Sequence, residues 1–142
     1  MKIKKADRSD IPVLARLMAA LWPHHSPAEM AAELDECIDS ADIAFFLAGE
    51  GEGFAQCQLR HDYVEGTESS PVGYLEGIYV SDHCRKQGYA RGLLRSCEAW
   101  AKEKGCREFA SDCELDNTQS LKFHLSVGFA EANRIICFTK KL

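Results

Sequence analysis

Apolar residues in the first forty positions recur at intervals of three and four. Ile11, Leu14, Met18 and Leu21 fall on one face of a helix, with Asp7 or Ser9 placed to cap it. Pro12 lies in its first turn, where proline is tolerated. Trp22-Pro23-His24-His25 breaks the spacing. Ser26-Pro27-Ala28-Glu29 then reads as a capping box with proline at the first helical position, opening a helix that buries Met30, Leu34, Cys37 and Ile38.

Beyond residue 40 the pattern changes. Residues 43–48 form an unbroken apolar run of the kind found in buried strands, and Gly49 to Gly53 make a turn. Strands are predicted over 1–6, 54–64, 73–80 and 107–112, with a loop over 65–72. Gly77 interrupts the third of these, which suggests a bulge or a close backbone approach. A helix is predicted from Gly88 to Lys104, with Ala90, Leu93, Leu94, Cys97 and Ala101 inward and Gly105 as its C-cap. A shorter helix covers 118–127 and stops at Gly128. A final strand pair is expected over 129–141. The order βααβββαβαβ describes a mixed α+β fold. No repeat or linker divides the chain, so residues 1–142 are read as a single domain.

Composition excludes several classes. No apolar run approaches the ~20 residues that span a bilayer, and the basic start Met1-Lys2-Ile3-Lys4-Lys5 has no apolar segment behind it. A cytoplasmic protein with no membrane or nucleic-acid partner is expected. The seven cysteines are odd in number and lack metal-ligand spacing, so they read as reduced thiols, with no metal expected. The net charge of −5 conceals an asymmetry. Residues 17–84 hold thirteen acids and one base, Arg60, whereas residues 85–107 hold seven bases and two acids. Either the acidic stretch attracts cations and the basic one anions, or both are solvated faces.

One string gives that choice a chemical meaning. Arg85-Lys86-Gln87-Gly88-Tyr89-Ala90-Arg91 stands between a strand and an amphipathic helix. Glycine at 88 permits close approach of the backbone to a ligand, and free N–H groups at a helix start bind anions. The spacing is neither a Walker A nor a Rossmann fingerprint. It is R-x-x-G-x-A, and it resembles the acetyl-CoA pyrophosphate loop of GNAT acetyltransferases. The similarity extends over essentially the whole chain. It implies a GNAT fold, a mixed central sheet with splayed strands 4 and 5 flanked by helices. It also implies acetyl-CoA as co-substrate, with Ile78, Tyr79 and Val80 receiving its pantetheine through their backbone. Lys86, Gln87, Gly88, Tyr89, Ala90 and Arg91 would hold its diphosphate. Asn117, His124 and Gly128-Phe129 resemble the family's later signature, in which Asn117 binds the cofactor. His124 stands where most relatives carry the tyrosine that reprotonates the departing thiolate. An imidazole can donate that proton, or the ring can be a packed helix residue.

Other segments resemble bacterial aminoglycoside 6′-N-acetyltransferases in particular: Leu21-Trp22-Pro23 with His25, Arg60-His61-Asp62-Tyr63-Val64, Ser69-Ser70-Pro71-Val72 and Leu75-Glu76-Gly77-Ile78. A further such segment runs from Gly105 to Asp112. The resemblance implies that Trp22, His25, Tyr63, Glu76 and Asp112 line the acceptor site. Asn133 takes a position where an acid is expected. Glu76 and Asp112 would orient the reacting ammonium and accept its proton. The implied partners are an aminoglycoside or another polycationic amine and, because relatives are commonly dimers, a second copy of the chain. Two other readings fit the residues: a GNAT enzyme for another amine such as a polyamine, and a CoA-binding module without catalysis.

Overall fold

The computed structural model describes residues 2–142, so Met1 of the first predicted strand lies outside it. Five strands form one sheet in the order β1 (Ile3–Lys5), β2 (Ile43–Ala48), β3 (Gly53–Arg60), β4 (Val72–Val80) and β5 (Phe109–Ala110). The first four are antiparallel neighbours, and β5 runs parallel to β4. Helices α1 (Ile11–Leu21) and α2 (Pro27–Cys37) cover one face; α3 (Tyr89–Glu103) covers the other, and α4 (Thr118–Ser126) follows β5.

Local chemistry accounts for the helix starts. Asp7, rather than Ser9, accepts from the Ser9 N–H and opens a single 3₁₀ turn that leads into α1. At α2 the Ser26 hydroxyl accepts from the Glu29 N–H at 3.1 Å while Glu29 accepts from the Ser26 N–H at 3.3 Å, the reciprocal capping box. Leu14, Leu17 and Leu34 are fully buried between these helices and Phe45, Leu47 and Phe54 of the sheet. Each such side chain contributes roughly 1.5–3 kcal/mol of burial free energy. On the other face Leu93, Leu94, Cys97, Trp100 and Ala101 of α3 pack on Phe46, Ala55, Cys57 and Leu75.

β4 is bulged. Gln56 pairs with Gly77 and Cys57 with Leu75, which leaves Glu76 as the extra residue. The insertion changes the alternation. Leu75, Ile78 and Val80 pack in the α3 layer, whereas Tyr79 packs in the α1–α2 layer. Gly77 serves this layer by its lack of a side chain. A Cβ there would stand 2.7 Å from the Trp22 ring.

Three predicted strands are corrected. The strand read over 54–64 ends at Arg60, whose partner Val72 is the first residue of β4. The strand read over 107–112 shrinks to Phe109–Ala110, because β4 meets β5 only at Gly73 and Tyr74. The strand pair read over 129–141 is absent, so the observed order lacks its last β. A strand needs a ladder to join, and the two-residue β5 offers almost none. Ile135, Ile136 and Phe138 are left 68%, 81% and 87% exposed. No helix among the described residues is long and apolar enough to cross a membrane.

The contact at Gly77 predicts that Gly77→Ala, which forces a methyl group against Trp22, lowers unfolding free energy by about 1–3 kcal/mol. Urea denaturation measures the difference.

Candidate active site

The start of α3 is built to receive an anion. Gly88 adopts φ +86° at the N-cap, and Lys86 two residues before it has φ +62°. No side chain caps the helix. Its first hydrogen bond runs from the Gly92 N–H to the Gly88 carbonyl at 3.0 Å, so the N–H groups of Tyr89, Ala90 and Arg91 precede the internal ladder. Those donors and the helix dipole favour negative charge, and Lys86 and Gln87 lie exposed beside them. Arg85, also exposed, bends back along the loop. Its Nε donates to the Val80 carbonyl at 3.1 Å and its Nη2 lies 3.0 Å from Asp82, which ties the loop to the end of β4. Arg91 reaches the Ser126 carbonyl at 3.4 Å and links α3 to the end of α4.

Beside this loop the sheet opens. The β4–β5 ladder ends at Tyr74 and Ala110, and from Glu76 onward the β5-facing edge of β4 has no strand beside it among the described residues. Ile78, Tyr79 and Val80 therefore lie on an edge without a β5 partner, and β4 ends at Val80, nine residues before α3 begins at Tyr89. The last link across the opening is the Ser111 hydroxyl, 3.4 Å from the Leu75 carbonyl. Ser111 also binds His124, with Oγ 2.8 Å from Nε2. The other ring nitrogen, Nδ1, is 2.7 Å from the Ser120 carbonyl. A carbonyl only accepts, so Nδ1 carries a proton; the single hydrogen of the Ser111 hydroxyl serves either the Leu75 carbonyl or a neutral Nε2, not both. Donation from Nε2 requires the doubly protonated ring. His124 is also packed, against Phe123 and Phe129 with centroids at 5.8 and 5.1 Å. Of the two descriptions the sequence left open, the packed helix residue is the one the contacts describe. Asn117 caps α4, its Oδ1 accepting from the Ser120 N–H at 3.1 Å.

The predicted acceptor residues separate into two groups. Trp22, His25 and Glu76 line a cavity of about 450 Å³ between the α1–α2 layer and the sheet, together with Glu33, Gln56 and Gln58. Tyr63, Asp112, His124 and Asn133 line a larger one of about 1240 Å³ under the C-terminal segment. Asp112 lies two residues beyond β5, not on a strand as the sequence suggested. It accepts a hydrogen bond from the Tyr74 hydroxyl. Burial, and then that bond to the carboxylate, push the Tyr74 phenol far above its ordinary value. Tyr63 is 75% exposed, and Asn133 donates to Glu65 at 2.9 Å.

Glu33, Gln56, Gln58, Tyr74 and Ser111 were not singled out from the sequence. One signal for the glutamines was present: polar residues at 56 and 58, two apart, interrupt an otherwise apolar strand on one face. Among the described residues, no group of three or more His, Cys, Asp or Glu is placed to hold a metal ion.

Residues 11–129 match the model of the acetyltransferase (GNAT) family. A protein of Serratia marcescens named aminoglycoside N(6′)-acetyltransferase type 1 is 41% identical over 140 residues, 96% of each chain. One of the same name from Stenotrophomonas maltophilia is 43% identical, over 99% of this chain and 93% of that one. Among solved structures, AAC(6′)-Iy in complex with the bisubstrate analogue CoA-S-monomethyl-acetylneamine superposes with a TM-score of 0.93 at 37% identity, covering 99% of this chain and 98% of that one. AAC(6′)-Iy in complex with CoA gives 0.95 at 38% identity, covering 99% and 95%.

The left-handed Gly88 beside the uncapped helix start generates a second prediction. Gly88→Asp sets a carboxylate among the anion-binding N–H groups and is expected to weaken acetyl-CoA binding at least ~100-fold, a loss of about 2.7 kcal/mol. Isothermal calorimetry measures the affinity, and circular dichroism checks that the fold is kept.

Proposed function

Because the chain belongs to the GNAT acetyltransferase family, we propose that it transfers the acetyl group of acetyl-CoA to the 6′-amine of aminoglycoside antibiotics, by direct attack and without a covalent enzyme intermediate. The observation that carries this reading is the position of Glu76. It is the bulged residue of the strand bordering the cofactor cleft, and it also lines the cavity shared by Trp22 and His25. A carboxylate there meets an ammonium group beside the place where the acyl donor enters. Trp22 offers a flat surface for a sugar ring, and Glu33 adds a second acid to the same cavity.

The roles follow from these positions. The N–H groups at the start of α3, with Lys86 beside them, hold the diphosphate of the donor. The splayed edge at Ile78, Tyr79 and Val80 takes its pantetheine arm, and a backbone N–H near Ile78 polarises the thioester carbonyl as an oxyanion donor does. Glu76, directly or through water, orients the ammonium and takes its proton so that the free amine attacks. Asp112, held by Tyr74, supplies a second negative charge on the other side of Arg60. His124 in its doubly protonated form returns a proton to the leaving thiolate. Holding both substrates together supplies a large part of the rate. The seven cysteines, all unpaired, suit action in the reducing cytoplasm.

The same reading includes a homodimer. Residues 130–142 carry strand-forming apolar side chains that stay exposed within one chain. A second copy gives this segment the ladder that β5 does not. Sedimentation velocity is expected to show a dimer that becomes a monomer when the chain is cut after Ala130.

The decisive assay compares kanamycin, tobramycin and spermidine side by side. Glu76→Gln and Asp112→Asn are expected to lower kcat/KM for 6′-amino drugs ~100-fold, about 2.7 kcal/mol of transition-state stabilisation, with acetyl-CoA binding unchanged. Full activity of both variants refutes the acceptor assignment. Turnover of spermidine alone moves the acceptor to polyamines, and CoA binding without turnover on any amine leaves a non-catalytic module.

A further inference from the structure

Arg60 is the sole Lys or Arg in the acidic stretch from 17 to 84, and its guanidinium is held by another side chain rather than left free. It ends β3 and folds back over the sheet. Its Nη2 donates to Glu76 Oε1 at 2.7 Å and to Oε2 at 3.1 Å, and its Nε donates to Oε1 at 3.1 Å. The guanidinium lies 3.5 Å from the centroid of the Tyr74 ring. Tyr74 in turn donates its hydroxyl to Asp112. One planar cation is therefore gripped by Glu76 and stacked on a ring that is itself fixed to Asp112. The two carboxylates assigned to the acceptor belong to a single network with Arg60 at its centre.

The cavities show what this network does. Glu76 lines the smaller cavity and Arg60 does not; Arg60 and Tyr74 line the larger one. The ion pair thus has one partner on each cavity. A carboxylate offers about four lone-pair directions, and three N–H contacts from one side leave capacity on the other. The fork geometry of arginine fixes the plane of the carboxylate as well as its place, which a lysine ammonium cannot do. Stacking on Tyr74 orders the guanidinium before any substrate arrives.

We propose that Arg60 is a positioning residue that locks the Glu76 carboxylate so that its uncommitted oxygen lone pair faces the acceptor cavity, at the expense of some attraction for the cationic substrate. This rests on the assignment of Glu76 to the acceptor site. Two effects of opposite sign follow. Removing Arg60 frees the carboxylate to rotate, so the attacking amine is held less well and kcat falls. Removing a positive charge from an acidic region also strengthens the pull on a polycation, so drug binding does not weaken.

The test is steady-state kinetics with kanamycin on Arg60→Gln, Arg60→Lys, Glu76→Gln and the double variant Arg60→Gln/Glu76→Gln, with drug Kd from calorimetry. Arg60→Gln is expected to lower kcat at least ~10-fold with kanamycin Kd unchanged or tighter and the KM for acetyl-CoA unmoved. Arg60→Lys keeps the charge but not the fork and is expected to remain at least ~5-fold impaired in kcat. The double variant is expected to match Glu76→Gln, because Arg60 acts through that carboxylate. Wild-type kcat in Arg60→Lys overturns the proposal, and this variant carries the test if Arg60→Gln does not fold. A loss in Arg60→Gln that appears only as weaker drug binding also overturns it, as does a further loss of kcat in the double variant. The two levels of the reading are separable. If Glu76→Gln has no effect, the acceptor assignment fails; if Glu76→Gln is impaired and Arg60→Gln is not, only the role of Arg60 fails.

Discussion

The extra residue in β4 is the constraint on which the rest of the site depends. In a regular strand the side chains alternate without interruption. Here Leu75 faces α3, Glu76 and Gly77 follow at the bulge, and alternation resumes with the opposite parity, so that Ile78 and Val80 return to the α3 layer. The shift lets one strand keep an apolar face from end to end and still deliver a carboxylate to the cavity under Trp22. It also coincides with the loss of β5 as a neighbour. Bulges increase local twist and end pairing. The turn of the strand that presents Glu76 thus accompanies the opening of the cleft beside Ile78. With the proposed roles, acceptor and donor sites meet at one irregularity.

Charge is distributed to suit this geometry. Arg85, Lys86 and Arg91 lie at the start of α3, where backbone dipoles already favour anions, and Glu29, Glu33, Asp35 and Glu36 lie on α2. The sheet separates the two helices. Arg60 is the exception, and its ion pair with Glu76 is half-screened, with the two side chains 39% and 21% exposed. A pair so placed adds little to stability. Its value lies in direction: it sets which way a carboxylate looks.

Much of this was legible in the sequence, and the reasons differ by element. The capping box at Ser26, the glycine at 88 and the apolar faces of α1 and α3 are local, set by residues a few positions apart, and the structure has them as read. Gly77 was legible as an irregularity, although either a bulge or a close approach was open; the structure has both. Strand ends were not legible. Residues 61–64, 111–112 and 129–141 have strand-forming character but no partner, and partners lie far off in sequence. Trp100, outside the faces read for α3, is buried by the long-range fold. The same holds for the site. Glu76 and Trp22, named from local strings, line one cavity, whereas the clamp of Arg60 on Glu76 joins residues 16 apart through a hairpin register that no periodicity reveals.

The two-residue ladder between β4 and β5 has a consequence for how the molecule is assembled. The β2, β3 and β4 strands are joined in sequence by hairpins, so their contacts close short loops. The parallel pairing of β4 with β5 must wait for α3 to cross the sheet, and it then gains two residues of register. Non-local pairings of this kind are slow to form. The cleft is therefore the last part of the sheet to close during folding and the first to open in native-state fluctuations. Amide exchange around Phe109 to Asp112 should be faster than in β2 and β3, where the ladders are long and both faces are covered. A ligand held between β4 and β5 would act as a fastener, lacing the shortest ladder of the sheet.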